Sequence, residues 1–136
     1  MDVKELKRQL KKIRGLDFEI KQLNFELQYI EEGLFQRSSF ANTKVQVSKV
    51  NNMANNIINT VELKDELTKK LKARVEERNR LTKLIDILDD PMQRTALRCY
   101  YVLHYEIYKI SDELQCSESA CYRIIRTALV ELANQL

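Results

Sequence analysis

The chain has 136 residues, enough for one compact domain or a small domain with an extended appendage, and too few for two full-sized enzyme domains. Two glycines and one proline exclude a fold of many tight turns, and 32% charged beside 44% hydrophobic residues imply helices with solvated as well as buried faces. A net charge of +3 favours an anionic partner only slightly. Cysteines in odd number, no secretory leader pattern and no run of roughly 18 apolar residues point to a cytoplasmic helical protein without a membrane span.

Asp2, followed by Glu5, offers carboxylates to the exposed amides of a helix start, so a helix is expected from Val3. From there Val3, Leu6, Leu10, Ile13, Leu16, Ile20, Leu23, Leu27, Ile30 and Leu34 recur at spacings of three and four, the seam of a coiled coil. Two consecutive threes beside Gly15 form a stammer, which overwinds a supercoil locally. Phe18 and Phe25 widen the stripe for a partner. This region is expected to set the oligomeric state or to hold a polymerase subunit, and its seam suits pairing within the chain and between copies alike.

A polar connector is expected at about residues 33–56, where Gly33, Ser38, Ser39 and a series of asparagines compete for local backbone hydrogen bonds. Val45, Val47 and Val50 suit a short extended piece within it or a segment tucked under the coiled coil. From about Ile57 to Leu88 a second helical pattern returns through Leu67, Leu71, Leu81, Ile85 and Leu88, with Arg74 and Arg78 in the missing seam positions. Asp89, Asp90 and Pro91 end it. Residues 1–90 are thus read as a coiled-coil region that carries the whole net charge, and 91–136 as a charge-balanced globular unit of three helices, at about 92–104, 107–115 and 118–135.

The last two helices carry the specific signal. Ile107, Ile110 and Leu114 line one face of the first, and Ser111 is small enough to let the second cross closely, as in a helix-turn-helix. Cys116 plugs the turn, Ser117 caps the next helix, and Cys121, Ile124, Ile125, Ala128, Leu129 and Leu132 face inward. Glu118, Ser119, Tyr122, Arg123 and Arg126 are left outside, on the first turns of the helix that such motifs place in the major groove of double-stranded DNA. Tyr122 or Arg123 could reach base edges, Glu118 a cytosine amino group, and Ser117 and Arg126 phosphate oxygens.

PMQRTALRCYYV followed by KISDELQCSESACYRIIRTALVEL resembles region 4 of sigma-70-type factors, and most closely the small phage regulators of the ArpU and RinA type. The resemblance in motif covers the last third of the chain. It implies an all-α protein in which a long N-terminal coiled-coil hairpin precedes a sigma region 4-like domain of three helices. It also implies a phage or prophage transcription regulator that acts at promoters with host RNA polymerase. Gln93 and Arg94 match the opening of that domain, Ile110, Leu114, Cys116 and Ser117 its helix-turn-helix frame, and Tyr122, Arg123 and Arg126 its recognition helix. Gln115 stands where glycine is usual, which implies a left-handed residue or a reshaped turn.

Two other readings fit the sequence: a DNA-packaging recognition subunit resembling small terminases, and an adaptor that docks on polymerase without touching DNA. Cys99, Cys116, Cys121 and His104 lack the paired spacing of a zinc site and do not align as a nucleophile pair, so no metal or cofactor is expected. The tyrosines at 100, 101, 105 and 108 suit core packing better than base stacking, and the basic run Lys69–Arg80 a solvated helix face. With one histidine and no phosphate loop or catalytic set, the chain is not expected to be an enzyme.

Overall fold

The computed structural model describes the backbone of residues 1–41 and 47–136 and the side chains of residues 1–33 and 59–136. The protein is all-helical, with no strand among the described residues: α1 (Val3–Ala41), α2 (Val47–Ile85), α3 (Pro91–Leu97), a π-helical turn (Arg98–Val102), α4 (Ile107–Leu114) and α5 (Glu118–Gln135). No helix among the described residues is long and apolar enough to cross a membrane.

The helical backbone takes in most of the expected connector, because α1 continues to Ala41 and α2 starts at Val47, ten residues before the expected Ile57. The polar side chains there do not stop the backbone pairing. Val47 and Val50 belong to α2, so no extended piece forms at them, because the backbone pairs helically there. Residues 42–46, with Val45, lie outside the described residues, as do the side chains of Leu34, Val47 and Val50.

Two compact units are distinguished. One comprises residues 19–75. Within it the two helical stretches run antiparallel, as the ion pairs Arg74–Glu19 at 2.5 Å and Lys64–Glu31 at 2.9 Å require. Leu67 is buried, and Ile20, Leu23, Leu27, Ile30 and Leu71 are half-buried, as the seam predicts. Phe25 departs from it: the ring is 55% exposed and sits under the Lys21 ammonium at 5.9 Å, adding nothing to the buried stripe.

The other unit comprises residues 1–18 and 76–136. Its core joins Leu6, Leu10, Ile13 and Leu16 of α1 to Leu81, Ile85 and Leu88, and both groups to Leu97, Ile110, Cys121, Ile125, Leu129 and Leu132. The globular part is therefore not confined to residues 91–136, since its core is completed by the first turns of α1 and the end of α2. Burying a leucine or isoleucine contributes roughly 1.5–3 kcal/mol, so the four α1 residues are a substantial part of what holds this unit together. Phe18 is 63% exposed beside Arg14, so it too fails to widen the buried stripe.

Several local features set the chain path. α2 ends at Ile85 rather than Leu88, in a tightened turn where Leu88 N–H donates to Ile85 C=O at 3.2 Å and the Leu88 side chain is fully buried. Asp90 then caps α3 by accepting from Met92 N–H at 2.9 Å, with Pro91 at the first helical position, where no amide donor is needed. The helix expected over 92–104 widens after Leu97: Leu103 N–H reaches back five residues to Arg98 C=O at 2.9 Å. This π turn buries Cys99 and Tyr101 and leaves Tyr100 40% exposed, its ring edge-on to Tyr101 at 4.8 Å.

Candidate nucleic-acid interface

The frame of α4 and α5 matches its residues one by one. Ile110 and Ser111 are buried, and Ile107 and Leu114 pack on the same core. Ser111 satisfies its hydroxyl internally by donating to Tyr108 C=O at 2.7 Å, so it adds no unmet polar group where α5 passes.

The turn has a definite chemistry. Gln115 takes the left-handed conformation (φ 54°, ψ 47°); its N–H donates to Asp112 C=O at 3.2 Å, and Cys116 N–H to Ser111 C=O at 3.1 Å. This pair of bonds is a Schellman ending, which satisfies two carbonyls that α4 would otherwise leave open. It is normally built on glycine, and of the two conformations anticipated for Gln115 the left-handed one is found.

Ser117 begins α5. Its backbone is extended (φ −70°, ψ 160°), and Oγ accepts from Ala120 N–H at 3.1 Å, which leaves the hydroxyl proton free to donate outward. Cys116 and Cys121 flank this cap at the two positions where apolar side chains staple a helix entrance. Burial raises the thiol pKa of Cys121, and the neighbouring Cys116 raises it further. Burial likewise raises Cys99, so both are neutral packing groups at physiological pH.

With the helix entrance fixed, Ser117, Glu118, Ser119, Tyr122, Arg123 and Arg126 are all exposed on one stretch of α5. Cys121, Ile125, Ala128, Leu129, Leu132 and Ala133 turn the opposite face into the core. Among the described residues Arg123 and Arg126 form no ion pair. An unpaired guanidinium on an exposed helix face remains available to an external carboxylate, phosphate or base edge. Gln93 and Arg94 are half-buried on α3, away from that stretch of sequence. Of the four tyrosines expected in the core, Tyr101 is buried and Tyr105 packs half-buried against it, whereas Tyr100 and Tyr108 are exposed and depart from that expectation.

Sequence reasoning missed the neighbours of this face. Tyr122 and Arg126 share a shallow cleft of about 220 Å³ with Lys7, Lys11, Tyr100 and Tyr101. A second cleft of about 290 Å³, also lined by Lys11, Tyr100 and Tyr101, continues past Arg14 and His104 to Glu106. Lys7, Lys11 and Arg14 each follow a seam residue by one position, at i, i+4 and i+7, and that spacing is the signal that could have singled them out.

No curated protein and no solved structure matches the chain. The family described as a protein of unknown function, DUF1492, matches residues 34–133, which takes in all of α2, α3 and α4 and α5 as far as Ala133. With that match extending over well more than half of its length, the chain belongs to the DUF1492 family.

Proposed function

We propose that this protein is a DNA-binding transcription regulator of a phage or prophage, resembling sigma region 4 and acting at promoters with host RNA polymerase. One observation carries the reading: a two-helix unit with a Schellman turn and a serine cap leaves Ser117, Glu118, Ser119, Tyr122, Arg123 and Arg126 exposed together at the start of α5. That is the end of a recognition helix that enters a major groove.

In this reading the roles follow from chemistry. Arg123 donates in a bidentate fashion to guanine, and Tyr122 packs on or hydrogen-bonds a base edge. Ser117 and Arg126 donate to phosphate and fix the register, and Glu118 accepts from cytosine. In a dimer, two recognition helices would meet half-sites about one helical turn, or a multiple of it, apart.

The test is fluorescence-anisotropy titration of the full chain against tiled duplexes from the neighbouring genome and against random duplex, at several salt concentrations. One preferred tile, with the preference lost in Arg123→Ala/Arg126→Ala, is the expected result. Weak and uniform binding to every tile would reject an independent DNA reader. A preferred tile at a packaging site, without effect on promoter output, would replace regulation by packaging.

A further inference from the structure

The first turns of α1 do two things at once. Leu6, Leu10 and Ile13 go into the core that supports α5, while Lys7, Lys11 and Arg14 stand exposed one position further round. Lys7 and Lys11 join Tyr122 and Arg126 in one cleft, and Lys11 and Arg14 continue in the adjoining one.

The charges on this strip are uncommitted among the described residues. The basic residues of α1 that have acidic neighbours lie elsewhere: Arg8 pairs with Glu5 at 2.6 Å, and Lys12 acts on Glu77 of α2. Among the described residues Lys7 and Lys11 make no ion pair, and Arg14 stacks over Phe18 at 5.8 Å without one. Glu106, at the far end of the second cleft, is the acidic residue on its rim.

Spacing points to the ligand. Three cations over seven residues span about 10 Å of helix, against one phosphate per roughly 3.4 Å of duplex axis along a strand. Such a strip can meet two or three phosphates of one strand. Its continuity with Tyr122 and Arg126 puts it beside the groove-facing end of α5, where a strand bordering that groove must pass.

Resting on the DNA-binding reading above, we infer that Lys7, Lys11 and Arg14 of α1 form a phosphate clamp, which grips the backbone of the duplex whose bases α5 reads. The coiled-coil helix is then part of the DNA interface. The clamp contributes affinity without sequence preference, which compensates for a charge-balanced C-terminal region.

The experiment compares the full-length protein with Lys7→Gln/Lys11→Gln/Arg14→Gln, using the preferred tile and a random duplex as probes. A charge-matched control, Lys69→Gln/Lys72→Gln/Lys83→Gln, removes exposed lysines outside the clefts. Expected for the clamp variant is a log affinity–log salt slope shallower by about 2–3, at about 0.9 per phosphate contact. Three contacts account for about a 40-fold share of the affinity lost between 50 and 200 mM salt. Both probes should weaken by the same factor, so sequence preference survives, and Lys7→Arg/Lys11→Arg should keep the slope.

An unchanged slope in the clamp variant, with wild-type helicity by circular dichroism, would overturn the inference while leaving α5 as the reader. So would an equal change in the charge-matched control. A variant that keeps its DNA affinity but no longer captures host polymerase would make the strip a protein-docking surface and overturn it too. Wild type that binds neither probe at low salt would instead refute the DNA-binding reading itself, and the clamp with it.

Discussion

His104 Nε2 lies 2.8 Å from Asp17 Oδ2, joining the turn after the π segment to α1 across 87 residues of sequence. The other oxygen of Asp17 accepts from Arg78 of α2, so one carboxylate ties three parts of the core unit together. His104 also carries a positive φ of 58°, a conformation unfavourable for a side chain with a Cβ. Part-buried ties of this kind are worth about 1 kcal/mol. Asp17→Ala and His104→Ala should each lower the urea midpoint, and the double variant should lose less than the sum, with a coupling of roughly 0.5–1 kcal/mol. Additive losses would mean that the contact does not stabilise the fold.

Gln115 bears the same backbone strain, at φ 54°. A left-handed residue with a Cβ costs roughly 1–2 kcal/mol, part of which a glycine returns as entropy of the unfolded chain. Gln115→Gly is therefore expected to stabilise the protein by about 0.5–1 kcal/mol. Gln115 is exposed, and the Schellman bonds need only its backbone, so duplex affinity should be unchanged. Thermal denaturation and anisotropy on the same sample check both halves; a lower melting temperature would show that the side chain has a role the turn geometry does not reveal.

Burial pushes the Tyr101 hydroxyl up to about 12 from 10.0, and raises the Cys99 and Cys121 thiols. Between the unfolded and folded pKa values the native state holds protons that the unfolded chain has released, so stability falls as pH rises. Tyr101 contributes its full share below about pH 10 and loses it towards pH 12. Under reducing conditions, moving from pH 8 to pH 10.5 should cost about 1 kcal/mol through Tyr101 alone. Tyr101→Phe keeps the buried ring and should flatten that part of the fall in urea midpoint. Equal falls in the two proteins would assign the alkaline loss to other groups.

What was legible in the sequence follows from what each signal encodes. Apolar spacing reports which face of a helix is buried, so Leu6, Leu10, Ile13, Leu81 and Ile85, and the inward set of α5, fell where expected. Cap chemistry is local, and Ser117 is found in its expected role. Polar composition is a weaker signal: serines and asparagines lower helix propensity by tenths of a kcal/mol each without forbidding a helix, and α1 and α2 continue through most of the expected connector. The π turn was illegible because periodicity does not specify hydrogen-bond register. The cleft beside Arg126 was illegible for another reason, since Lys7 and Arg126 are far apart in sequence and only the shared core of α1 and α5 makes them neighbours.

Gly15 tests the meaning of the irregular spacing in α1. The two short steps of the seam coincide with the glycine, yet α1 passes through it as continuous helix, and a Cβ built there meets nothing within 4 Å. The glycine is therefore not required for a close approach in this unit, and its positive-φ freedom goes unused. In an exposed helix interior, glycine costs about 1 kcal/mol relative to alanine through the entropy of the unfolded chain. Gly15→Ala is expected to stabilise the protein by about 0.5–1 kcal/mol in urea denaturation, with oligomeric mass unchanged by light scattering. A stabilised chain of unchanged mass would show that the slip is accommodated by ordinary helix geometry. Loss of stability or of assembly would mean that another helix packs against this position in solution, closely enough to exclude a methyl group.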